Sequence, residues 1–332
     1  MKYFFRHCER NEAIHLAVGE NGLSRRRRLL AMTMGLMLLA ACAPQEQAFR
    51  PASETPSLQK ESFTTADGAT LPVRSWRVKR PKAVVIGVHG MNDYSNAFSE
   101  TGEYFKRRGI ATYAYDQRGF GGTDDVGIWA GEANLKRDLR DFTALIARRH
   151  PNTPLFVMGE SMGGAVAMLA EAEAPLPVSG IILSAPAVWN DENIPAIYQL
   201  LLWSAAHTLP SYKLTGKDLN ILASNNIPML RRMGADPLVI KATRIDTIYG
   251  LTQLMNDAYA TPSHIESRVL LLYGLKDQIV PRPPVEAIKS CFGTPADTIF
   301  YDDGYHMLTR DLQGPSVLSD IAKWILKPRP RR

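Results

Sequence analysis

A serine in a tight glycine turn is the residue of this sequence best suited to covalent chemistry. Ser161 lies in the run Gly-Glu-Ser-Met-Gly-Gly over residues 159–164. An apolar, strand-like run precedes it and a helix-like run follows it. A serine at such a junction sits on a strained turn that exposes its hydroxyl, and the neighbouring glycines permit the close packing that the turn needs. The pattern predicts a nucleophile for acyl transfer, and the alternative is a tight turn with an incidental serine.

A serine hydroxyl is a poor nucleophile at neutral pH, so it needs a base and an acid that orients the base. Asp277 follows the apolar run 269–273, and His306 follows the apolar run 298–301. Of the seven histidines, only His306 comes after both a candidate acid and a final strand. The predicted triad is therefore Ser161, Asp277 and His306, in the chain order Ser, Asp, His. The alternative for Asp277 is an aspartate in a surface turn.

Acyl transfer also needs two backbone N–H groups that bind the developing oxyanion. Met162, directly after the nucleophile, is predicted to supply one of them. Met91 is predicted to supply the other, because it follows the apolar run 83–88 and Gly90, which lets the loop bend close to the site. His89 adjoins this glycine and precedes the nucleophile, so we expect it to brace the loop rather than act as the base.

Five landmarks, in this order along the chain, resemble the monoglyceride lipase and lysophospholipase branch of the α/β-hydrolase superfamily. They are His89-Gly90, Tyr115 to Gly121, Gly159 to Gly164, Gly274 to Asp277 and Gly304 to His306. The resemblance covers roughly residues 60 to 327, and it departs from the family at residues 92–95, where many members carry a Glu-His pair. It implies a serine hydrolase that cleaves lipid esters, with no cofactor and no metal.

The elements that would position these residues alternate between helix and strand patterns. Residues 98–108 and 133–149 are predicted helices, and residues 110–115 and 180–184 are predicted strands. Such alternation predicts a parallel sheet with helices on both faces and a site at the carboxyl ends of the strands. With the resemblance, the expected fold class is α/β. The expected architecture is an α/β-hydrolase fold with a mostly parallel eight-stranded sheet and a helical cap inserted after strand six.

The alternation breaks over residues 187–262, where the resemblance places the cap. A cap supplies an apolar roof over the nucleophile and can gate the site. Its apolar and aromatic residues are candidates for an acyl-chain channel: Trp189, Tyr198, Leu201, Leu202 and Trp203. Two alternatives stay open for them. They pack the cap onto the core, or an exposed apolar face of the cap enters a membrane.

The N-terminus resembles a bacterial lipoprotein signal. Arg25 to Arg28 are basic, residues 29–41 are apolar but short for a membrane span, and the run Leu39 to Cys42 matches a lipobox, in which the cysteine is acylated. We expect a signal peptide over residues 1–41, and we suspect that residues 1–24 reflect a start site assigned too far upstream. The alternative is an ordinary signal peptide followed by a chance cysteine.

The signal divides the rest of the chain. Residues 42–60 are expected to be the lipidated Cys42 and a flexible tether, because they are rich in Pro, Gln, Ser and Glu. The hydrolase domain would span residues 61–327, and residues 328–332 would form a basic tail. Acylation of Cys42 would anchor the protein in a membrane of the bacterial cell envelope, on the periplasmic face, close to lipid substrates.

Charge and cysteine content argue against other classes of protein. The net charge is +6, but residues 1–41 and residues 327–332 each carry +4, so the stretch between them carries −2. That balance does not suit nucleic-acid binding. There are three cysteines, and with Cys8 removed and Cys42 acylated only Cys291 remains, so no internal disulfide is expected. The functional alternatives are a short-acyl carboxylesterase, an amidase or an acyltransferase on the same triad, and a non-catalytic envelope lipoprotein.

Overall fold

The computed structural model describes residues 43–190, 195–216 and 221–327, and the described residues from Pro44 onward form one compact unit. The predicted signal peptide, Cys42 and the basic tail over 328–332 lie outside the described residues. Among those described, no helix has both the length and the apolar character needed to cross a bilayer.

The strands, in chain order, are β1 Ser57–Leu58, β2 Ser62–Thr64, β3 Thr70–Trp76, β4 Ala83–Val88, β5 Ile110–Tyr115, β6 Leu155–Glu160, β7 Gly180–Ser184, β8 Lys213–Leu214, β9 Thr243–Arg244, β10 Val269–Gly274 and β11 Asp297–Tyr301. The helices described in the structure are α1 Ser99–Lys106, α2 Glu132–Arg149, α3 Met162–Glu173, α4 Ala196–Thr208, α5 Ile227–Ala235, α6 Ile245–Tyr259, α7 Arg282–Lys289 and α8 Gly314–Leu326. Short 3₁₀ turns lie at Ser95–Phe98, Pro262–His264 and Leu308–Arg310.

The large sheet has the strand order β1-β2-β3-β5-β4-β6-β7-β10-β11. Strands β5, β4, β6, β7, β10 and β11 are parallel, whereas β1, β2 and β3 pair antiparallel at one edge. Every residue of β4, β5, β6, β7 and β10 is buried. A parallel sheet needs apolar residues on both faces because helices cover both. Here α2 and α3 cover one face, and α1 and α8 cover the other.

The structure confirms the α/β-hydrolase fold that the sequence predicts, a mostly parallel sheet flanked by helices. The predicted helices 98–108 and 133–149 correspond to α1 and α2, and the predicted strands 110–115 and 180–184 to β5 and β7. The expected number of eight strands is wrong, because the described part of the sheet has nine. The additional strand, β1, is the two-residue arm of a hairpin that the Gln59 N–H closes on the Ser62 carbonyl at 2.8 Å.

The stretch before β1 also differs from expectation, because it packs on the domain instead of forming a flexible tether. The Gln47 N–H donates to the Trp129 carbonyl at 2.8 Å, and the Arg137 guanidinium donates to the Arg50 carbonyl at 2.6 Å. Near its start, the Gln45 N–H donates to an Asp246 carboxylate oxygen at 3.2 Å. Backbone groups of residues 44–56 therefore form hydrogen bonds with the domain, and composition alone does not distinguish such a packed segment from a disordered one.

Between β7 and β10 the chain leaves the large sheet and forms α4, the β8–β9 pair, α5 and α6. We refer to residues 187–262 as the insertion. With β1 set aside, β7 is the sixth strand, so the insertion follows the strand that was predicted. Helix α6 packs against α3 of the body and against α4. The insertion thereby lies at the edge of the sheet where β6 ends and the residue after it, Ser161, begins the turn into α3.

Candidate active site

Ser161 occupies a turn whose backbone conformation is unusual for a residue with a side chain. It joins the end of β6 to the start of α3, with φ 53° and ψ −119°. Positive φ at a serine is strained and persists only where the surroundings enforce it. The Ser161 N–H donates to the Ser184 carbonyl at 3.0 Å, and the Ser161 carbonyl accepts from the Ala187 N–H at 2.9 Å. Glycine is required at position 163, since a Cβ there would overlap the Val88 carbonyl oxygen.

Asp277 and His306 are brought together from loops that are far apart in sequence. His306 Nδ1 lies 2.8 Å from Asp277 Oδ2, and the Asp277 side chain has no exposed surface. The other carboxylate oxygen accepts the N–H groups of Ile279, at 2.7 Å, and Val280, at 3.1 Å. A buried carboxylate needs such donors. The pairing uses Nδ1 of the imidazole, so Nε2 is the nitrogen left for a further partner.

The two loops can meet because glycines line the contact. A Cβ on Gly274, at the end of β10, would overlap the backbone of Gly304, which follows β11. The Lys276 N–H donates to the Gly304 carbonyl at 2.9 Å and the Leu275 N–H donates to the Tyr301 carbonyl at 2.9 Å. Both loops leave the carboxyl ends of neighbouring parallel strands, where the sequence predicts the site.

A buried arginine connects the His306 loop to the nucleophile turn. Arg310 forms an ion pair with Glu160, the residue before Ser161, and another with Asp93 at 2.6 Å. Burial opposes the charge of the guanidinium, but Glu160 and Asp93 together raise the pKa of Arg310 above its usual value. Sequence analysis missed this group. Each of the three loops predicted to carry the site has a charged residue, and this was the available signal. The sequence alone does not show that these residues form ion pairs.

The loop after β4 is braced by a neutral histidine. His89 is fully buried, and burial lowers its pKa. Its Nε2 accepts the Gln117 N–H at 2.9 Å, which assigns the proton to Nδ1, and this N–H donates to the Gly90 carbonyl at 2.8 Å. The Gln117 side-chain amide returns a bond to the His89 carbonyl at 2.8 Å. These contacts agree with the bracing role expected for His89.

The two residues predicted to bind an oxyanion, Met91 and Met162, belong to two segments that contact each other. A Cβ on Gly90 would lie 3.3 Å from the Ser161 Cβ, so the loop that carries Met91 touches the nucleophile turn. Met91 packs half-buried against the core, and Met162 is fully buried as the first residue of α3. Their backbone N–H groups therefore belong to the two segments that meet at Ser161.

The five residues predicted for an acyl channel differ in their exposure. Trp189 is half-buried against the core, as in the packing alternative. Tyr198, Leu201 and Trp203 of α4 are exposed by 61%, 56% and 49%, and Leu202 is half-buried. The Trp203 ring stacks on His207 with centroids 4.3 Å apart, and His207 in turn meets Tyr249 of α6. Helix α4 thus presents an exposed apolar face. Such a face is consistent with the membrane alternative and also with the wall of an acyl-chain channel.

Comparisons with known proteins identify a family and several relatives of the chain. A family profile, Hydrolase_4, described as serine aminopeptidase S33, matches residues 79–313. The chain is 28% identical to a monoglyceride lipase of Rattus norvegicus over 79% of this chain and 89% of that protein. It is 24% identical to a monoacylglycerol lipase of Mycolicibacterium smegmatis over 80% of this chain and 96% of that protein.

Solved structures are similar in fold. A soluble variant of monoglyceride lipase from Saccharomyces cerevisiae superposes with a TM-score of 0.68 at 22% identity, covering 85% of this chain and 98% of that one. The monoacylglycerol lipase of Paleococcus ferrophilus gives a TM-score of 0.65 at 20% identity, covering 77% and 98%. At these identities the likeness concerns the backbone fold.

Proposed function

The chain belongs to the Hydrolase_4 family, and from that premise we propose that it is a membrane-anchored serine hydrolase of lipid esters, with monoacylglycerols or lysophospholipids as substrates. The family and the relatives named monoglyceride lipase make the chain a carboxylic-ester hydrolase. The observation that carries the proposed mechanism is the buried Asp277–His306 pair, held at the strand ends where Ser161 turns into α3.

In this mechanism Ser161 Oγ attacks the ester carbonyl carbon while His306 Nε2 takes the hydroxyl proton. The oxyanion that forms is bound by the N–H groups of Met91 and Met162. His306 then gives its proton to the leaving alcohol, and the acyl group stays on Ser161 until a water, deprotonated by His306, releases it as a carboxylate. Asp277 holds the imidazole in the tautomer with its proton on Nδ1 and stabilises the imidazolium.

The nucleophile is tested by Ser161→Ala. We expect the fold to persist and ester hydrolysis to fall on the order of 10³-fold or more, because the covalent step is lost. A fluorophosphonate probe should label the native protein and not the variant, since only an activated serine reacts. Ser211→Ala, at an exposed serine of the insertion, is the matched control and should label like the native protein. Unchanged turnover in purified Ser161→Ala would overturn the assignment.

The membrane anchor is a separate part of the proposal, supported by the lipobox-like run that ends at Cys42 behind a basic and apolar segment. Cys42→Ser should abolish metabolic labelling with palmitate and move the protein out of the membrane fraction. A double or triple acylated cysteine binds a bilayer far more firmly than a single chain. Equal label in native and variant protein would refute the anchor and leave the hydrolase assignment unaffected.

The substrate class is decided by a panel of glycerol esters, lysophospholipids, p-nitrophenyl esters and peptide amides. Fold and triad leave the acyl acceptor open, and the family description itself names an aminopeptidase. We expect the highest kcat/KM on monoacylglycerols or lysophospholipids. Preference for acetate esters would favour a short-acyl carboxylesterase, turnover of amides an amidase, and transfer to an added alcohol an acyltransferase. Absence of fluorophosphonate labelling would leave the non-catalytic lipoprotein.

A further inference from the structure

The backbone on both sides of His306 is fixed by hydrogen bonds. The Tyr305 N–H donates to Asp311 Oδ2 at 2.7 Å, and the Met307 N–H donates to the Ala223 carbonyl at 3.0 Å. The first bond comes from the loop's own aspartate, but the second comes from the insertion. The peptide groups that flank the proposed catalytic base are therefore held partly by a segment that does not belong to the hydrolase body.

The insertion also reaches the first of these bonds, through a buried serine. Asp311 is buried, and its second carboxylate oxygen accepts the Ser224 hydroxyl at 2.6 Å. Ser224 has no exposed surface, and its oxygen accepts the Asn226 N–H at 3.1 Å. This second bond directs the hydroxyl proton towards Asp311. Ser224 thus orients the carboxylate that in turn holds the Tyr305 peptide.

Neighbouring residues extend the contact along the whole loop. Asn225 accepts the Leu312 N–H at 2.8 Å, and the Asn226 side-chain amide donates to the Arg310 carbonyl at 2.9 Å. These bonds join polar side chains of the insertion to backbone groups of the loop, whereas a roof would touch substrate through exposed apolar surface. On its other side the loop is held by the ion pairs of Arg310 with Glu160 and Asp93. The His306 loop is therefore held both by the body and by residues 223–226 of the insertion.

We propose that Ser224 is a positioning residue for His306, acting through Asp311, so that the insertion sets the geometry of the catalytic base as well as covering the site. This inference rests on the proposed function, because it takes His306 as the base. Displacement of a reacting group by about 1 Å can cost on the order of 100-fold in rate. Loss of one of the several hydrogen bonds that hold the His306 loop should lower the rate by less, on the order of tenfold.

The test is Ser224→Ala assayed on p-nitrophenyl acetate, a substrate whose acyl chain is too short to need a roof. We expect kcat and the rate of fluorophosphonate labelling to fall together on the order of tenfold, with KM within about twofold of the native value. Ser211→Ala, at an exposed serine of the same insertion, should match the native enzyme. Thermal unfolding of each variant checks the fold. Where Ser224→Ala does not fold, Ser224→Cys keeps the volume with a weak donor and serves instead.

A double-mutant cycle tests the route through Asp311. If Ser224 acts on His306 only through that carboxylate, Ser224→Ala should have little further effect on kcat in an Asp311→Asn background. Independent, multiplying effects would overturn the route. An unchanged kcat in Ser224→Ala, or a change in KM alone, would overturn the inference and leave an insertion that only covers the site. Retained activity in Ser161→Ala would instead overturn the proposed function itself, so the two failures are distinguishable.

Discussion

Apolar side chains are mostly buried in the body, meaning the sheet with its flanking helices, whereas many are exposed in the insertion. All six residues of β6 are buried, whereas of the thirteen residues of α4 only Ala206 is buried. On α4, Ile197, Tyr198, Leu200, Leu201 and Trp203 are exposed by 49–61%. The body strands are covered on both faces by helices, but α4 rests on α6 and leaves its other side open. Packing thus fixes the groups around Ser161, while the insertion leaves an apolar surface exposed.

One arginine of each region forms an ion pair near the site, and the two pairs differ in burial. Arg310 lies among buried carboxylates of the body, while Arg232 of α5 makes an exposed ion pair with Glu100 at 3.4 Å. Removing a buried charge leaves its partners uncompensated, whereas an exposed pair is screened by solvent. The contrast teaches that burial decides what an ion pair contributes, so the Arg310 pairs should matter for stability and the Arg232 pair should matter little.

The largest expected effect is a loss of stability when an arginine is removed from the body, compared with a small loss when one is removed from the insertion. Arg310→Met leaves Glu160 and Asp93 without a cation, so we expect the free energy of unfolding to fall by about 3–5 kcal/mol. Arg232→Met is the matched control, and its cost should stay under about 1 kcal/mol. Urea denaturation of both variants makes the measurement. Equal losses would contradict the difference between the two regions.

The next effect concerns the open face of α4. If acyl chains bury against it, each methylene contributes about 0.8 kcal/mol, so four added carbons raise kcat/KM by up to roughly 200-fold. The measurement is kcat/KM against chain length, below the micelle threshold. Leu201→Ser and Trp203→Ser should flatten the rise, while Val126→Ser, at a 52% exposed apolar residue outside the insertion, should not. A maximum at acetate or butyrate would remove the lipase proposal and leave the triad unaffected.

The smallest expected effect is the pH dependence of folding stability that arises from His89 in the body. The folded state keeps His89 neutral because burial lowers its pKa below the usual 6.5. The unfolded chain binds a proton there as pH falls below about 6.5, so stability present at neutral pH is lost on acidification, by at most about 1.4 kcal/mol per pH unit. Urea unfolding at pH 7.5 and 5.5 measures this slope. His89→Gln should reduce it relative to His264→Gln, at an exposed histidine, and an equal slope in both would refute the role of His89.

Local patterns predicted the fold and the order of the candidate triad. The apolar runs around β5 and β7 and the glycine turn at Ser161 are signals contained in a few adjacent residues. Long-range contacts were not predictable in this way. Arg310 meets partners 150 and 217 residues away, and Ser224 meets Asp311 across 87 residues. The polar stretch 44–56 was misjudged for the same reason, since its hydrogen-bond partners Trp129, Arg137 and Asp246 are distant in sequence.

The positive φ of Ser161 makes the nucleophile turn a site where reactivity and stability are opposed. A residue with a Cβ is strained at φ 53°, whereas glycine adopts that conformation freely. Ser161→Gly should therefore unfold at higher free energy than Ser161→Ala, by about 1 kcal/mol, although both lack the hydroxyl. Selection for stability alone would remove the serine from this position. A serine in this strained turn costs stability, which is the trade-off expected where a residue serves activity rather than folding.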